Sequence, residues 1–253
     1  MKIKERVVVF PDIHFPNHYE PALKCALKVI KEIKPSGFVL LGDTADGSSV
    51  SKWQWSKKKR PPIEYQIPAI EKEIKQVNAG IDRIDEVLDK VNCKKKIYTQ
   101  GNHEKWFDNF VDENPFLDKY GCQKAFKWKE RGYNYNAYGQ KVRVFKSKLF
   151  AYHGGHFMGI NHTRSHLQNL GANIIYGHTH DAMKAVITHI DGPIMAHSMG
   201  CLTDMTKDYL QNRNTNWTHN VGIIDIFDDG NFNLQVLQII DNVTSYAGKI
   251  IKG

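Results

Sequence analysis

Arg6-Val7-Val8-Val9-Phe10-Pro11-Asp12-Ile13-His14 decides how the rest of the chain is read. It is a short β-branched run that stops at a Pro-Asp pair, and so reads as a buried strand. A carboxylate and an imidazole, two residues apart, follow the strand's end. Working outward, the same arrangement recurs. Pro21 to Ile33 places Leu23, Leu27 and Ile30 on one face, which is helical spacing, and Pro35-Ser36-Gly37 breaks it. Phe38 to Leu41 is the next buried strand and runs into Gly42-Asp43-Thr44-Ala45-Asp46. Residues 48 to 64 read as irregular. Ile67 to Val91 reads as a long amphipathic helix, with Ile70, Ile74, Val77, Ile81, Ile84 and Leu88 at three- and four-residue steps. Lys96 to Thr99 is a third strand, followed by Gly101-Asn102-His103-Glu104.

The second half is strand-rich, with runs at Val142 to Phe145, Leu149 to Tyr152, Ile174 to Tyr176, Ala185 to Ile190, Ile194 to His197, Val221 to Phe227 and Phe232 to Ile239. Asp228-Asp229-Gly230-Asn231 reads as a tight hairpin turn, and Thr163 to Leu170 as a helix between strands. A βαβαβ start predicts a parallel or mixed sheet, and the strand-rich end a second sheet packed on it. Repeats, low-complexity tracts and linkers are absent from the sequence, so residues 1–253 are expected to form one domain.

The totals set bounds without naming a function. With 253 residues, 41% hydrophobic and 25% charged, the chain can bury a sizeable core and is not compositionally disordered. A formal net charge of +8 favours polyanionic partners such as nucleic acid but says nothing about fold. Cys25, Cys93, Cys122 and Cys201 are far apart in sequence, so no CxxC pair exists; they read as reduced packing residues of a cytosolic protein. The apolar run Val7 to Phe10 is too short for a signal peptide, and no stretch is long enough to span a membrane.

Five polar clusters stand where strands end: Asp12-Ile13-His14, Gly42 to Asp46, Gly101 to Glu104, His153-Gly154-Gly155-His156 and Gly177-His178-Thr179-His180. In open α/β sheets the carboxyl ends of strands share one edge, where ligands bind. Each cluster alone is well explained as a turn or a helix cap. Five independent turns, however, have no reason to concentrate Asp, Asn and His at strand ends. With extended backbone, the outer residues of a D-x-H or H-x-H tripeptide point the same way, so both can face one ion.

D-x-H, GD-x-x-D, GNHE, HGG and GHTH in this order resemble the calcineurin-like metallophosphoesterases, and the motifs span Asp12 to His180. The resemblance implies an α/β fold: a four-layer α/β/β/α sandwich with two mixed β-sheets. It implies that Asp12, His14 and His180 hold one divalent ion, that Asn102, His153 and His178 hold another, and that Asp43 bridges both. His103 is implied as the catalytic histidine, with Asp46 and Glu104 orienting the ligands. The implied activity is metal-dependent hydrolysis of phosphate esters, with a metal-bridging hydroxide attacking phosphorus and His103 protonating the leaving oxygen. Oxygen and nitrogen donors without thiolate suit Mn, Fe, Zn, Co or Ni; Mn²⁺ is the expected metal.

Two departures bear on the substrate. Protein phosphatases of the family carry an arginine soon after the second motif and another just before GNH; here those places hold Gly47 and Gln100. The segment Ser51-Lys-Trp-Gln-Trp-Ser-Lys-Lys-Lys-Arg-Pro-Pro62 offers Trp53 and Trp55 for stacking and Lys57, Lys58, Lys59 and Arg60 for a phosphate backbone, as single-strand binders do; a solvated charge run explains it equally well. Lys124 to Arg131 reads as an ordinary helix face. His156 is a candidate substrate contact, whereas His162 and His166 are expected at the surface. The large exonucleases of the family append a DNA-recognition domain; none is expected in the residues after this chain's phosphoesterase part, so sequence-specific DNA recognition is not expected. The leading expectation is therefore a phosphodiesterase acting on single-stranded nucleic acid or a nucleotide. The alternatives are a broad-specificity phosphomonoesterase and a metal-dependent binding module without turnover.

Overall fold

The computed structural model describes residues 2–206 and 214–253. β1 (Ile3–Phe10), α1 (Glu20–Ile33), β2 (Gly37–Leu40), α2 (Ile63–Lys90), β3 (Lys95–Thr99) and α3 (Asn102–Glu113) form the alternating first half. α4 (Cys122–Ala125), β4 (Tyr133–Asn136), β5 (Val142–Arg143), β6 (Leu149–Tyr152), α5 (His162–Leu170) and β7 (Asn173–Tyr176) follow. Then come β8 (Lys184–His189), β9 (Gly192–Ser198), β10 (Asn220–Phe227), β11 (Phe232–Gln238) and a hairpin of β12 (Val243–Tyr246) and β13 (Lys249–Lys252).

Two mixed sheets carry the fold. The six-stranded sheet runs β11-β10-β1-β2-β3-β4, with β1 to β4 parallel and β10 and β11 antiparallel. The five-stranded sheet runs β5-β6-β7-β9-β8, with β6, β7 and β9 parallel. The period-two alternation of buried strands sorts their side chains into separate cores. Val8, Phe10, Phe38 and Leu40 pack with α1, α2 and α3. Val7, Val9, Val39 and Ile97 point the other way and meet Leu149, Ala151 and Ile175 between the sheets. Tyr152, Ile174 and Tyr176 pack with Leu167 of α5 on the far side. The layers are therefore α/β/β/α, as the resemblance implied. All four cysteines are buried, and none of them forms a disulfide among the described residues.

Several local expectations are corrected. Residues 48 to 64 contain one 3₁₀ turn, Lys52–Trp55, and α2 begins at Ile63. Lys124 to Arg131 is not a helix face: α4 stops at Ala125, and the fully buried Trp128 stacks on Tyr98 with ring centroids 3.8 Å apart. β4 and the β12–β13 hairpin carry no apolar run that marks them in sequence. Among the described residues no helix is long and apolar enough to cross a membrane.

Candidate metal centre

β1, β2 and β3 of one sheet and β6 and β7 of the other end at a common place, and the five polar clusters meet there. Three groups of donor atoms form among the described residues, the atoms of each within 4.8 Å of one another: Asp12, His14, Asp43 and His180; Asp43, His153 and His178; and His14, Asp46 and His103. Asp43 belongs to the first two. Asn102 joins the second, its Oδ1 lying 2.9 Å from His153 Nε2 and 2.8 Å from His178 Nδ1. All seven side chains expected as ligands are thus brought together.

The backbone does this by a different route from the one expected. The D-x-H and H-x-H tripeptides are not extended: Asp12 (φ 33°), His14 (φ 58°), Asp43 (φ 43°), His178 (φ 69°) and His180 (φ 61°) all occupy the left-handed region. Asp and His are among the few residues that tolerate it, at a cost of roughly 1–3 kcal/mol each. Close approach fixes the turns. A Cβ on Gly177 would lie 2.1 Å from Asp12 Oδ2, so the chain can pass there only as glycine.

The arrangement fits a pair of cations. His153 Nδ1–H donates to the Leu41 carbonyl at 2.7 Å, leaving a bare Nε2 facing Asn102 Oδ1 and, at 3.2 Å, Asp43 Oδ2. Three acceptors turned on one another repel unless a proton or a metal ion lies among them. Nε2 atoms of His14 and His180 likewise lie 3.2 Å apart, and Asp12 Oδ2 is buried without a hydrogen-bond partner. The electrostatics agree. Burial pushes Asp12 up to about 6 and holds His14 and His178 down at about 4. Burial opposes charge on His153 and Asp43 too, but each overrides it for the other: Asp43 raises His153 to about 10, and His153 with His103 holds Asp43 well below the carboxylate range. The chain thus holds a buried Asp/His cluster suited to divalent metal.

Around this core, His103 Nδ1–H donates to the Asp46 carbonyl at 2.5 Å, and its Nε2 lies 3.8 Å from Asp43 Oδ2. His103 N donates to Asp43 Oδ1 at 3.0 Å. Asp46 Oδ1 lies 3.4 Å from His14 Nδ1. Glu104 accepts from the amides of Gly101, Asp43 and Ala45 at 2.9, 3.0 and 2.7 Å, tying α3 to the turn after β2. Burial and the nearby Asp43 carboxylate push its carboxyl up to about 7 against those donors.

The substrate-side residues are less gathered. Trp53 is 76% exposed, and Lys57, Lys58 and Lys59 are exposed. Trp55 is half-buried under Lys58 Nζ, 4.8 Å from its ring. Arg60 is tied to Gln66 and Glu113. His156 is exposed, stacked beside Tyr138.

A buried network behind the Gly177–His180 turn was not read from the sequence. His162 and His166 are buried, not at the surface. His162 bridges the Tyr176 hydroxyl (2.6 Å) and Asp181 Oδ2 (2.9 Å), while Asp181 Oδ1 accepts from Thr179 and Ser198 hydroxyls at 2.7 and 2.8 Å. Asp181 directly after GHTH, with two histidines one turn apart in α5, was the available signal. His166 stacks on Tyr176 at 3.8 Å, and burial lowers its pKa from 6.5 to about 4. The fold thus favours neutral His166. That stability is present above pH 6.5 and is lost as pH falls toward 4. The melting temperature of the wild type is expected to drop more between these pH values than that of His166→Phe; equal drops would contradict the assignment.

The sequence profile of the calcineurin-like phosphoesterases matches residues 5–189. Among solved structures the chain is similar to Yfce, a phosphoesterase from E. coli, at 18% identity over 91% of this chain and 98% of that one, TM-score 0.42. It is also similar to Chaetomium thermophilum Vps29, at 11% identity over 100% of both chains, TM-score 0.45. The comparison with curated proteins returned no match. With its family profile spanning residues 5–189 and its motif residues gathered at one centre, the chain belongs to the calcineurin-like phosphoesterase family.

Proposed function

We propose that residues 1–253 form one catalytic domain that hydrolyses phosphodiesters of nucleic acid or nucleotide-like character. The observation that carries this reading is the pair of donor clusters sharing the Asp43 carboxylate. Asp12, His14, Asp43 and His180 hold one divalent ion; Asp43, Asn102, His153 and His178 hold the other, with Mn²⁺ the preferred metal for this thiolate-free donor set. When bound, the pair supplies Lewis-acid polarisation of phosphoryl oxygens and an acidified water.

The chain's own residues do the rest. Leu41 fixes the His153 tautomer that leaves Nε2 for the metal. The Asp46 carbonyl can only accept, so it keeps the proton of His103 on Nδ1 and turns Nε2 toward the centre. With a second proton on Nε2 the ring is an imidazolium, and that second proton is the one given to the departing oxygen, leaving the Nδ1–H tautomer behind. Glu104 holds the Asp43 turn through three amides, so the shared carboxylate cannot swing.

Two features favour a diester. Gly47 has no side chain to grip a phosphate dianion. Gln100 is spent on the fold: it donates to Asp108 at 2.6 Å and accepts from the Tyr138 amide at 3.0 Å. The second feature is the exposed Trp53 with Lys57, Lys58 and Lys59 on one loop. We expect the metal-loaded protein to hydrolyse bis-p-nitrophenyl phosphate and single-stranded oligonucleotides faster than p-nitrophenyl phosphate, and chelation to abolish all three. A preference for the monoester with the oligonucleotide left intact would replace this reading by a phosphomonoesterase. No turnover of any ester would leave a binding module.

A further inference from the structure

Next to the centre lies a cavity of about 250 Å³ between the Trp53 loop and α3. Trp53, Trp106 and Phe110 supply its aromatic lining. Trp106 is shared with the centre, since its ring lies 4.1 Å from that of His103. The cavity therefore begins one ring away from the group that protonates the leaving oxygen. It falls below the roughly 300–1,000 Å³ of drug-sized pockets, which suits one flat ring system better than an extended ligand.

Its polar groups are those of a base-binding site. Asn109 lines the cavity, and its side-chain amide makes no hydrogen bond among the described residues, so it can both donate to and accept from a ring edge. Lys52 and Arg60 also line it, and both pair with Glu113, two cations against one anion. The excess positive charge continues into exposed Lys57, Lys58 and Lys59 on the same loop. An aromatic slot with a net positive wall, leading to a row of cations, matches a base attached to consecutive phosphates. Trp53 is left 76% exposed although it lines the cavity, an indole face available for stacking.

We propose that this cavity takes the nucleobase on the leaving-group side of a single-stranded nucleic acid. The proposal rests on the diesterase reading for the word "leaving", but base binding can be measured without turnover. The probes are a hexathymidylate and a hexamer of the same backbone with every base removed, titrated into chelated protein and followed by tryptophan fluorescence. The base-bearing oligomer is expected to bind roughly 5- to 150-fold more tightly, and Trp53→Ala to erase that ratio. Trp53 is exposed, so its replacement leaves folding intact. Equal affinities in the wild type, or an unchanged ratio in Trp53→Ala, would overturn the assignment. With metal restored, deleting the leaving-side base of a dinucleotide should raise KM by a similar factor, and deleting the other base should not; the reverse pattern would overturn it. A protein that discriminates the oligomers yet cleaves no diester would keep the base site and sink the diesterase reading instead.

Discussion

His103→Ala is expected to lower kcat on bis-p-nitrophenyl phosphate by ~10²–10⁴-fold, with metal content by elemental analysis staying that of the wild type. Both halves follow from the placement of one ring. His103 Nδ1 is taken by the Asp46 carbonyl at 2.5 Å, and Trp106 packs against the ring face. Nε2 stands 3.8 Å from Asp43 Oδ2, near the shared carboxylate but in neither of the two donor groups that share it. What holds Asp43 from this position is the His103 amide, at 3.0 Å, and alanine keeps that amide. The loss should therefore fall on proton transfer. It should be larger for a dinucleotide, whose alkoxide leaves poorly, than for p-nitrophenolate, which leaves without much help. Unchanged kcat on both substrates would remove His103 from the mechanism. A fall in bound metal would make it a ligand instead, as its proximity to His14 and Asp46 also permits.

The large features of this fold were legible because they rest on local periodicity. β1 ends in the apolar run Val7 to Phe10, β2 is apolar throughout and β3 ends Ile97-Tyr98-Thr99, each followed within two residues by its polar cluster, so both the sheet and the meeting edge could be read from spacing. What escaped depends on tertiary partners. β4, Tyr-Asn-Tyr-Asn, is an edge strand paired with β3 alone among the described residues, and its sequence alternates without an apolar run. Trp128 sits among lysines in the sequence, yet the Tyr98 ring makes it core. His162 and His166 belong to the interior only because Asp181 and Tyr176 meet them there. The left-handed turns at Asp12, His14, Asp43, His178 and His180 were invisible because Asp and His enter that conformation without needing glycine's sequence signature. The seven expected donors lie together although the expected backbone was wrong, because bringing five strand ends to one edge gathers the same side chains.

Gly101→Ala is expected to cost as much activity as a lost ligand, for a purely steric reason. Gly101 has φ −85° and ψ 173°, ordinary extended backbone open to any residue, so no conformational strain is involved. The added Cβ, however, would lie 2.1 Å from Asp43 Oδ1, 2.2 Å from the Asp43 backbone nitrogen and 2.7 Å from Glu104 Oε2. A side chain could swing aside, but the backbone nitrogen cannot move alone. The turn after β2 must separate from the start of α3, stretching the bonds from Glu104 to Asp43, Ala45 and Gly101. Overpacking of this kind costs ~1–3 kcal/mol, a fall in Tm of about 2–4 °C per kcal/mol at this chain length. The functional loss should exceed the structural one, because the displaced carboxylate is the one both donor clusters share; a shift of about 1 Å at such a position is worth roughly 10²-fold in rate. Gly121→Ala is the matched control. It too precedes a helix, at φ −61°, but the nearest atom to its added Cβ is 3.4 Å away, so stability should stay within ~0.5 kcal/mol and turnover should not change. If Gly101→Ala bound two metals and turned over like the wild type, the β2 turn and α3 could not be as close as they are here, and Asp43 could not stand between the clusters.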